Sequence, residues 1–376
     1  MANTLSVYDP LFYAQEAIIQ LEKALGMSGR IHRGYDKEPQ QKGSIISISK
    51  PSTFTAQDAP SAAQDVVAGE VQIALNQWRE VKFKLTDKEL TFTTEKIIND
   101  HIRPAAYALA DDIDQKLVAL YKDVPWQNIN ASPLAVADLT ANRKQLNVNA
   151  APPENRHVML SPTQEEEALN LTAFAQWQGA GEAGAETQMR GTLGMKYGYE
   201  VFMNQNVPTH TAGVSADATG ALVGAHAKGA LTVAFDAVTI GGTFKKGDTF
   251  VIAGNTQRYA FAADATADGG GAVAATAITP ALVQAYADND VITITLTSGE
   301  QGLGFHRNAF ALAMAPLSEL GGQLGARIAT VSDPVSNLSL RSRLFYIGDT
   351  SSVYVALDVL YGLKTLDGNL ACRLVN

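Results

Sequence analysis

The residues with the strongest claim to chemistry are three glycines. Gly179, Gly181 and Gly184 stand at G-x-G-x-x-G spacing, the pattern with which dinucleotide sites set helix N–H groups against a pyrophosphate. That chemistry needs a strand before the first glycine and a helix after the last. Here a helical pattern comes first, and Glu182 would put negative charge beside the phosphates. The run reads as a loop of small residues. Asp264, Asp268 and Gly269 echo the start of a calcium loop. The middle ligand position is Thr266, however, and the position that needs a bidentate Glu is Ala275, so a turn is the simpler reading. His32, His101, His157, His210, His226 and His306 stand neither at H-E-x-x-H spacing nor beside a cysteine. They read as surface or packing residues. Asp111, Asp112 and Asp114, and the run Glu165 to Glu167, offer the paired carboxylates of general acid–base chemistry. A solvated helix face explains the first set, and a first turn favoured by the helix dipole explains the second. The single cysteine, Cys372, excludes an internal disulfide and a multi-Cys zinc site. It is expected as a buried or semi-buried small apolar residue. No catalytic, cofactor-binding or metal residue is assigned, no cofactor is expected, and the chain is not expected to be an enzyme.

The elements around these residues follow from periodicity. Asp9-Pro10 opens a helical pattern over about 10–25, which Gly26 can end. Residues 28–42 are basic and poor in apolar side chains, an extended arm. Ser44 to Ser49 and Val71 to Leu85 alternate apolar and polar residues, as strands do. Between them Pro51 to Gly69 is rich in Ser, Ala, Gln and Asp. A loop of that length suits a hairpin that reaches outside its own domain. Trp78 reads as packing, with an intersubunit contact as the sharper alternative. Thr86 to Glu89 fits a capping box. A helical pattern then runs from Thr94, with Ile98, Ile102, Ala105, Leu109, Ile113, Leu117 and Leu120 on one stripe. From Pro104 to Lys122 it would span about 28 Å. Ser132-Pro133 is read as the cap of a helix to about Leu146, and Ser161-Pro162 as the cap of one to about Trp177.

The composition changes between residues 208 and 302. These 95 residues hold thirteen of the 31 glycines, with only four basic and eight acidic residues. Leu231 to Ile240, Thr249 to Ile252, Tyr259 to Ala262, Ala272 to Ile278 and Val291 to Leu296 read as strands between turns. A small β domain inserted in a parent fold is expected. Its loop Ala263 to Gly271 has two readings, a flexible acidic contact loop or a turn. After Gly304 the chain regains the composition it has before residue 208, and the C-terminal stretch is rich in strands.

The chain of 376 residues suits two or three folding units. Its 46% hydrophobic residues allow a sizeable core. With 29 basic and 38 acidic residues the net charge is -9, and the basic residues are scattered, which argues against a dedicated nucleic-acid reader. The N-terminus has no signal-peptide pattern. Gly269 to Ala287 is free of a membrane-span pattern because three glycines and Pro280 interrupt it. The lone thiol suits a reducing cytoplasm. Four classes compete: a shell subunit, a cellular protein cage, an enzyme, and a β-rich binding or adhesion module. The enzyme lacks a titratable cluster. The adhesion module leaves the arm, hairpin and long helix unexplained.

Several strings resemble the coat proteins of short-tailed bacteriophages. They are Asn3-Thr4-Leu5, Gly34-Tyr35-Asp36, the block Gln77-Trp78 to Leu90, Asp100-His101-Ile102-Arg103-Pro104-Ala105, the string Gly304 to Leu312, and Asp358-Val359-Leu360-Tyr361-Gly362. The resemblance covers nearly the whole chain and is weakest in 212–300. It implies an α+β chain with the tailed-phage major capsid fold: an N-terminal arm, an extended hairpin loop, a spine helix, peripheral and axial domains, and an inserted small β-barrel domain. The expected layout is 1–42 arm; 43–93 hairpin loop; 94–207 peripheral domain with spine helix and first part of the axial domain; 208–302 inserted domain; 303–376 the remainder of both. The resemblance further implies pentamers and hexamers that form an icosahedral shell around double-stranded DNA. The partners would be copies of the chain itself, a scaffolding protein and a portal protein. DNA would be enclosed without sequence-specific binding, no membrane would be involved, and the virion would be assembled in the host bacterial cytoplasm.

Overall fold

The computed structural model describes residues 14–15, 17–18, 26–33, 45–50, 58–59, 63, 69–86, 101–130, 133–175, 187–319, 327–332, 338–350 and 352–376. Helix and strand are mixed, as expected. The chain divides into two units: Met1–Ile113 with Ala311–Leu366, and Asp114–Phe310 with Asp367–Asn376.

In the first unit the expected hairpin forms. Ile45–Lys50 pairs antiparallel with Gly69–Ala74, from Ile45 opposite Ala74 to Lys50 opposite Gly69. Period-two alternation puts Ile46 and Ile73 on one face, where they join Leu75, Ala311, Ala313 and Ala315 in a buried cluster. The tip between Pro51 and Gly69 lies almost wholly outside the described residues. The single strand expected over Val71 to Leu85 is two. Gln77–Thr86 leaves the hairpin and pairs along its whole length with Ser352–Thr365, from Gln77 opposite Tyr361 to Thr86 opposite Ser352. The apolar residues keep the same phase through 71–85, so alternation could not mark the change of partner. Ser352–Thr365 also pairs with Ser339–Ile347, which pairs with Arg327–Ser332. With Phe310–Ala315 these strands make a five-stranded sheet. In the arm, Ser28–Arg30 is one 3-10 turn and His32 bridges Ala311. Most of the 10–25 helix and residues 34–42 lie outside the described residues.

The long helix is Arg103–Val118, with Pro104 in its first turn and a 3-10 segment, Ala119–Asp123, behind it. Residues 94–100 and the capping-box residues 87–89 are outside the described set. Ile102, Ala105, Leu109, Ile113 and Leu117 are buried, as the stripe requires.

The second unit carries a seven-stranded sheet. Its order is Gln127–Ile129, Ala371–Val375, Gly299–His306, Arg156–Leu160, Tyr199–Met203 and Gly194–Lys196, with Thr209–His210 beside Gly299–His306. The helices Val136–Val148 and Pro162–Leu169 belong to the same unit, and their apolar residues cluster with those of the sheet. Two glycines let the helices come close. A Cβ at Gly304 would collide with Asn142, and one at Gly302 with Gln164. In the space left open, Asn142 Nδ2 donates to the Cys372 carbonyl at 2.9 Å and Gln164 Nε2 to the Leu374 carbonyl at 3.1 Å.

Two helix ends differ from expectation. The helix expected from Ser132 starts at Val136, where the Ala135 N–H donates to Asp138 Oδ2 at 2.8 Å. Asp138 thus supplies the half of a capping box that reaches back to the N-cap N–H, and no serine side chain among the described residues caps the first turn. The Ser161 cap is as expected, with Oγ accepting from Gln164 N at 3.1 Å. That helix ends at Leu169 rather than near Trp177. Asn170 closes it, and Thr172–Ala175 is a separate turn.

The 208–302 region contains a closed barrel in the order Thr232–Asp236, Val273–Thr279, Arg258–Phe261, Thr249–Ile252, Val291–Thr295 and Thr219–Leu222. Four of the five strands expected there are present within a residue of their bounds, the one expected over Leu231 to Ile240 ends at Asp236, where Ala237 takes a positive φ, and Thr219–Leu222 closes the ring as a sixth. Its four residues include Gly220, placed where a Cβ would meet the Asp236 carbonyl. Too little alternation survives there to be read. Phe235, Phe244, Phe250, Tyr259 and Phe261 fill the interior, with Phe250 and Phe261 ring centroids 4.7 Å apart.

Candidate assembly interface

Among the described residues no group of His, Cys, Asp and Glu is placed to hold a metal ion, and no helix is long and apolar enough to cross a membrane. Gly179 to Gly184 lies outside the described residues. Asp264 accepts the Lys246 N–H at 2.8 Å and pairs with Lys245 Nζ at 2.9 Å. These partners hold its carboxyl below the usual carboxylate range. Asp268 accepts from the N–H groups of Gly270 and Ala272. Between them Ala265–Thr266 pairs with Thr243–Phe244, and Ala267 is buried in the barrel core. Ala263 to Gly271 is thus tied down by its own hydrogen bonds instead of hanging free.

The aspartates of the long helix correct the solvated-face reading. Asp114 is buried and accepts from Asn204 Nδ2 at 2.6 Å and Asn206 Nδ2 at 3.1 Å. Asp112 accepts from Tyr361 Oη at 2.8 Å and lies 3.2 Å from Arg79 Nε. Burial, followed by the nearby Asp112 carboxylate, raises the Tyr361 phenol above its ordinary range. Of the acidic run, Glu167 accepts the Leu134 N–H at 2.9 Å and serves the start of the neighbouring helix. Cys372 is buried, and burial pushes its thiol up to about 12, so it is not a nucleophile at neutral pH.

One histidine sits in a constellation that spacing did not reveal. Tyr121 Oη lies 2.9 Å from His210 Nδ1, and His210 Nε2 lies 3.0 Å from Asp248 Oδ1. Asp248 Oδ2 also accepts from the N–H groups of Gly213 and Lys245. The order of groups resembles a catalytic relay. His210 is 5% exposed and Asp248 2%, so no substrate reaches it. It is a structural tie between the barrel and the segments it packs on.

The open face of the five-stranded sheet carries a different arrangement. Trp78, Glu80, Lys82 and Lys84 alternate onto one face of Gln77–Thr86 and are exposed. Opposite Glu80 on the neighbouring strand stands Asp358, which is fully buried. Arg341 grips it through Nε at 3.0 Å and Nη2 at 2.5 Å, and Arg343 Nη2 lies 3.3 Å away and reaches Glu80 at 2.8 Å. Trp78 Nε1 donates to the same carboxylate at 3.1 Å while 59% of the residue stays exposed. Phe345 and Tyr354 stack with centroids 5.5 Å apart, and Lys82 Nζ sits over both rings. Fixed aromatic and Arg side chains on an exposed face are the composition of protein-interface hot spots. Trp78 is thus held within its own chain by Asp358 while its ring stays mostly exposed, which is compatible with both readings made of it.

No family model and no curated protein matches the chain. Solved structures do. A structure from Mycobacterium phage Che8 matches at 12% identity over 93% of this chain and 90% of that one, with a TM-score of 0.52. The capsid of Ralstonia phage GP4 matches at 10% identity over 93% and 88%, with a TM-score of 0.47. The capsid structure of the cyanophage P-SCSP1u matches at 12% identity over 89% and 84%, with a TM-score of 0.46. Neighbours among the solved structures are phage capsids, and the fold of this chain is that of the Che8 structure.

Proposed function

We propose that this chain is a major capsid protein. It assembles with itself into pentamers and hexamers, which form an icosahedral shell enclosing double-stranded DNA. The observation that carries the reading is the fold likeness over 93% of the chain. Supporting it are a hairpin whose polar tip has the composition of a reaching segment, and an exposed sheet face on which Trp78 is held by Asp358. The domain layout from the 1–42 arm to the 303–376 remainder belongs to this proposal. So do a scaffolding protein and a portal as partners, and assembly in a bacterial cytoplasm. The role is structural: the carboxylates of Asp112, Asp114, Asp248 and Asp358 are tied into hydrogen bonds and ion pairs within the chain.

Electron microscopy of the purified protein, alone and with a co-expressed scaffold, should reveal closed particles or capsomer rings. A chain that stays monomeric under every such condition overturns the reading. Trp78→Ala sharpens the test. Because the change removes a hydrogen bond to the buried Asp358 carboxylate, it should lower unfolding free energy by about 1–2 kcal/mol, and at a temperature where the variant is still folded it should sharply lower particle yield. Normal yield from that variant would remove this face from the interface.

A further inference from the structure

The seam between the barrel and the seven-stranded sheet, both in the second unit, holds more positive charge and more hydrogen-bond donors than the protein satisfies. Barrel strands Thr249–Ile252 and Arg258–Phe261 turn Phe250, Ile252, Tyr259 and Phe261 inward, so Thr249 and Arg258 point out of the barrel. Thr249 is nevertheless fully buried, which means that this wall is covered. Several bonds fix the cover. Lys246 Nζ pairs with Asp123 at 3.2 Å. Gln257 Nε2 and Trp126 Nε1 both donate to Asn369 Oδ1, and the Arg373 N–H donates to the Trp126 carbonyl. The Tyr121–His210–Asp248 chain closes the other side.

Arg373 lies between these ties, 1% exposed, with its guanidinium 5.9 Å from the Tyr121 ring centroid. Nε and Nη2, which share one edge of the fork, are buried and have no hydrogen-bond partner among the described residues. The same holds for Arg258 Nη1, for Gln127 Nε2 on the strand beside Arg373, and for Thr249 Oγ1. Gln301 Oε1 is the buried acceptor in similar condition nearby, diagonal to Arg373 across the ladder. Burial lowers Arg373 to about 10, so it stays charged at neutral pH. Lys246 is paired with Asp123 and Lys122 lies near Asp264, which leaves Arg373 and Arg258 beside the single carboxylate of Asp248, an excess of positive charge. A buried guanidinium edge left unpaired is costly, and its geometry suits a group with two acceptor oxygens side by side.

We propose that this seam binds a small free oxyanion, held by the Nε–Nη2 edge of Arg373 and closed over by Arg258 Nη1 and Gln127 Nε2. The burial of Arg373 excludes a phosphate that is part of a nucleic acid and leaves an ion the size of inorganic phosphate. Bound there, it joins the barrel to the sheet. This inference stands whether or not the chain forms shells.

The test uses the full-length chain purified without phosphate or sulfate. Thermal unfolding is followed against inorganic phosphate, with potassium chloride at matched ionic strength as comparator. Phosphate should raise Tm saturably beyond the chloride response, as a ligand selective for the folded state does. Arg258→Gln, a change at the edge of the seam, should weaken the apparent phosphate affinity at least tenfold, and Gln127→Leu should weaken it less. Equal effects of phosphate and chloride on the parent would overturn the proposal. So would an unchanged phosphate response in Arg258→Gln, or a high-resolution map with only water at the Arg373 edge.

Discussion

The barrel turns aromatic side chains inward from strands that close on themselves, while the five-stranded sheet leaves one face open and centres it on a buried carboxylate. Closure removes strand edges, so the barrel needs no charge to keep neighbours away. Its ionised groups sit mostly in turns, as Lys245 and Asp264 do. The open sheet cannot hide its outer face. It covers Asp358 with Arg341, Arg343 and Trp78 and thereby fixes aromatic and cationic groups at the surface. One region is held by apolar burial. The other uses buried polar contacts to present a rigid surface.

The largest effect that can break this comparison is expected inside the barrel. Phe250 is fully buried against Tyr259 and Phe261. Phe250→Ala should cost about 4 kcal/mol, the scale of a large core truncation. Hydrogen exchange should register the loss in amides of Thr219–Leu222 through Val291–Thr295, while those of Ser352–Thr365 keep their protection. Equal loosening of both regions would mean that they do not stabilise themselves separately. Asp358→Asn comes next, at about 3 kcal/mol, because it strands two guanidinium groups without their carboxylate. Urea unfolding measures it. Replacing Asp358 and Arg341 together with Leu and Met should recover part of the loss, since the buried charge leaves with its partner. A cost under about 1 kcal/mol for Asp358→Asn would show that the hub does not order the face.

What could be read in advance divides along the same line. Period-two alternation and glycine turns marked the barrel strands, because a half-buried strand writes its packing into local sequence. Thr219–Leu222 escaped because Gly220 and small neighbours leave one core side chain, Leu222, to signal it. The Ser161 cap was legible because donor and acceptor lie three residues apart. Asp114 and Asp358 were not. Their partners include Asn204 and Trp78, 90 and 280 residues away along the chain, and nothing local separates a carboxylate that will be buried from one that will be solvated. The open face was visible only as an exposed-or-packed choice at Trp78, and the seam around Arg373 not at all, since its donors come from strands brought together by the fold.

The smallest effect is expected at Asp264, where the barrel carries a charge in a turn. The Lys246 N–H and then the Lys245 side chain hold its carboxyl below the usual range. A carboxyl depressed in the folded state adds stability above its unfolded value, about 3.9, and loses that contribution as pH falls through the folded value. Asp264→Asn should therefore lie slightly below the parent in stability at neutral pH, and the two should converge below about pH 4. The group is largely exposed, so salt should shrink the gap further. Thermal unfolding across about pH 3 to 7 at low and high salt reads both trends. A loss at neutral pH as large as that of Asp358→Asn, or one that persists unchanged in acid, would mean that a turn charge stabilises the barrel as strongly as the buried hub stabilises the sheet. The contrast between apolar closure and a polar open face would then fail. A small, acid-sensitive loss keeps the contrast and fixes the role of Ala263 to Gly271 as a turn held by its own hydrogen bonds.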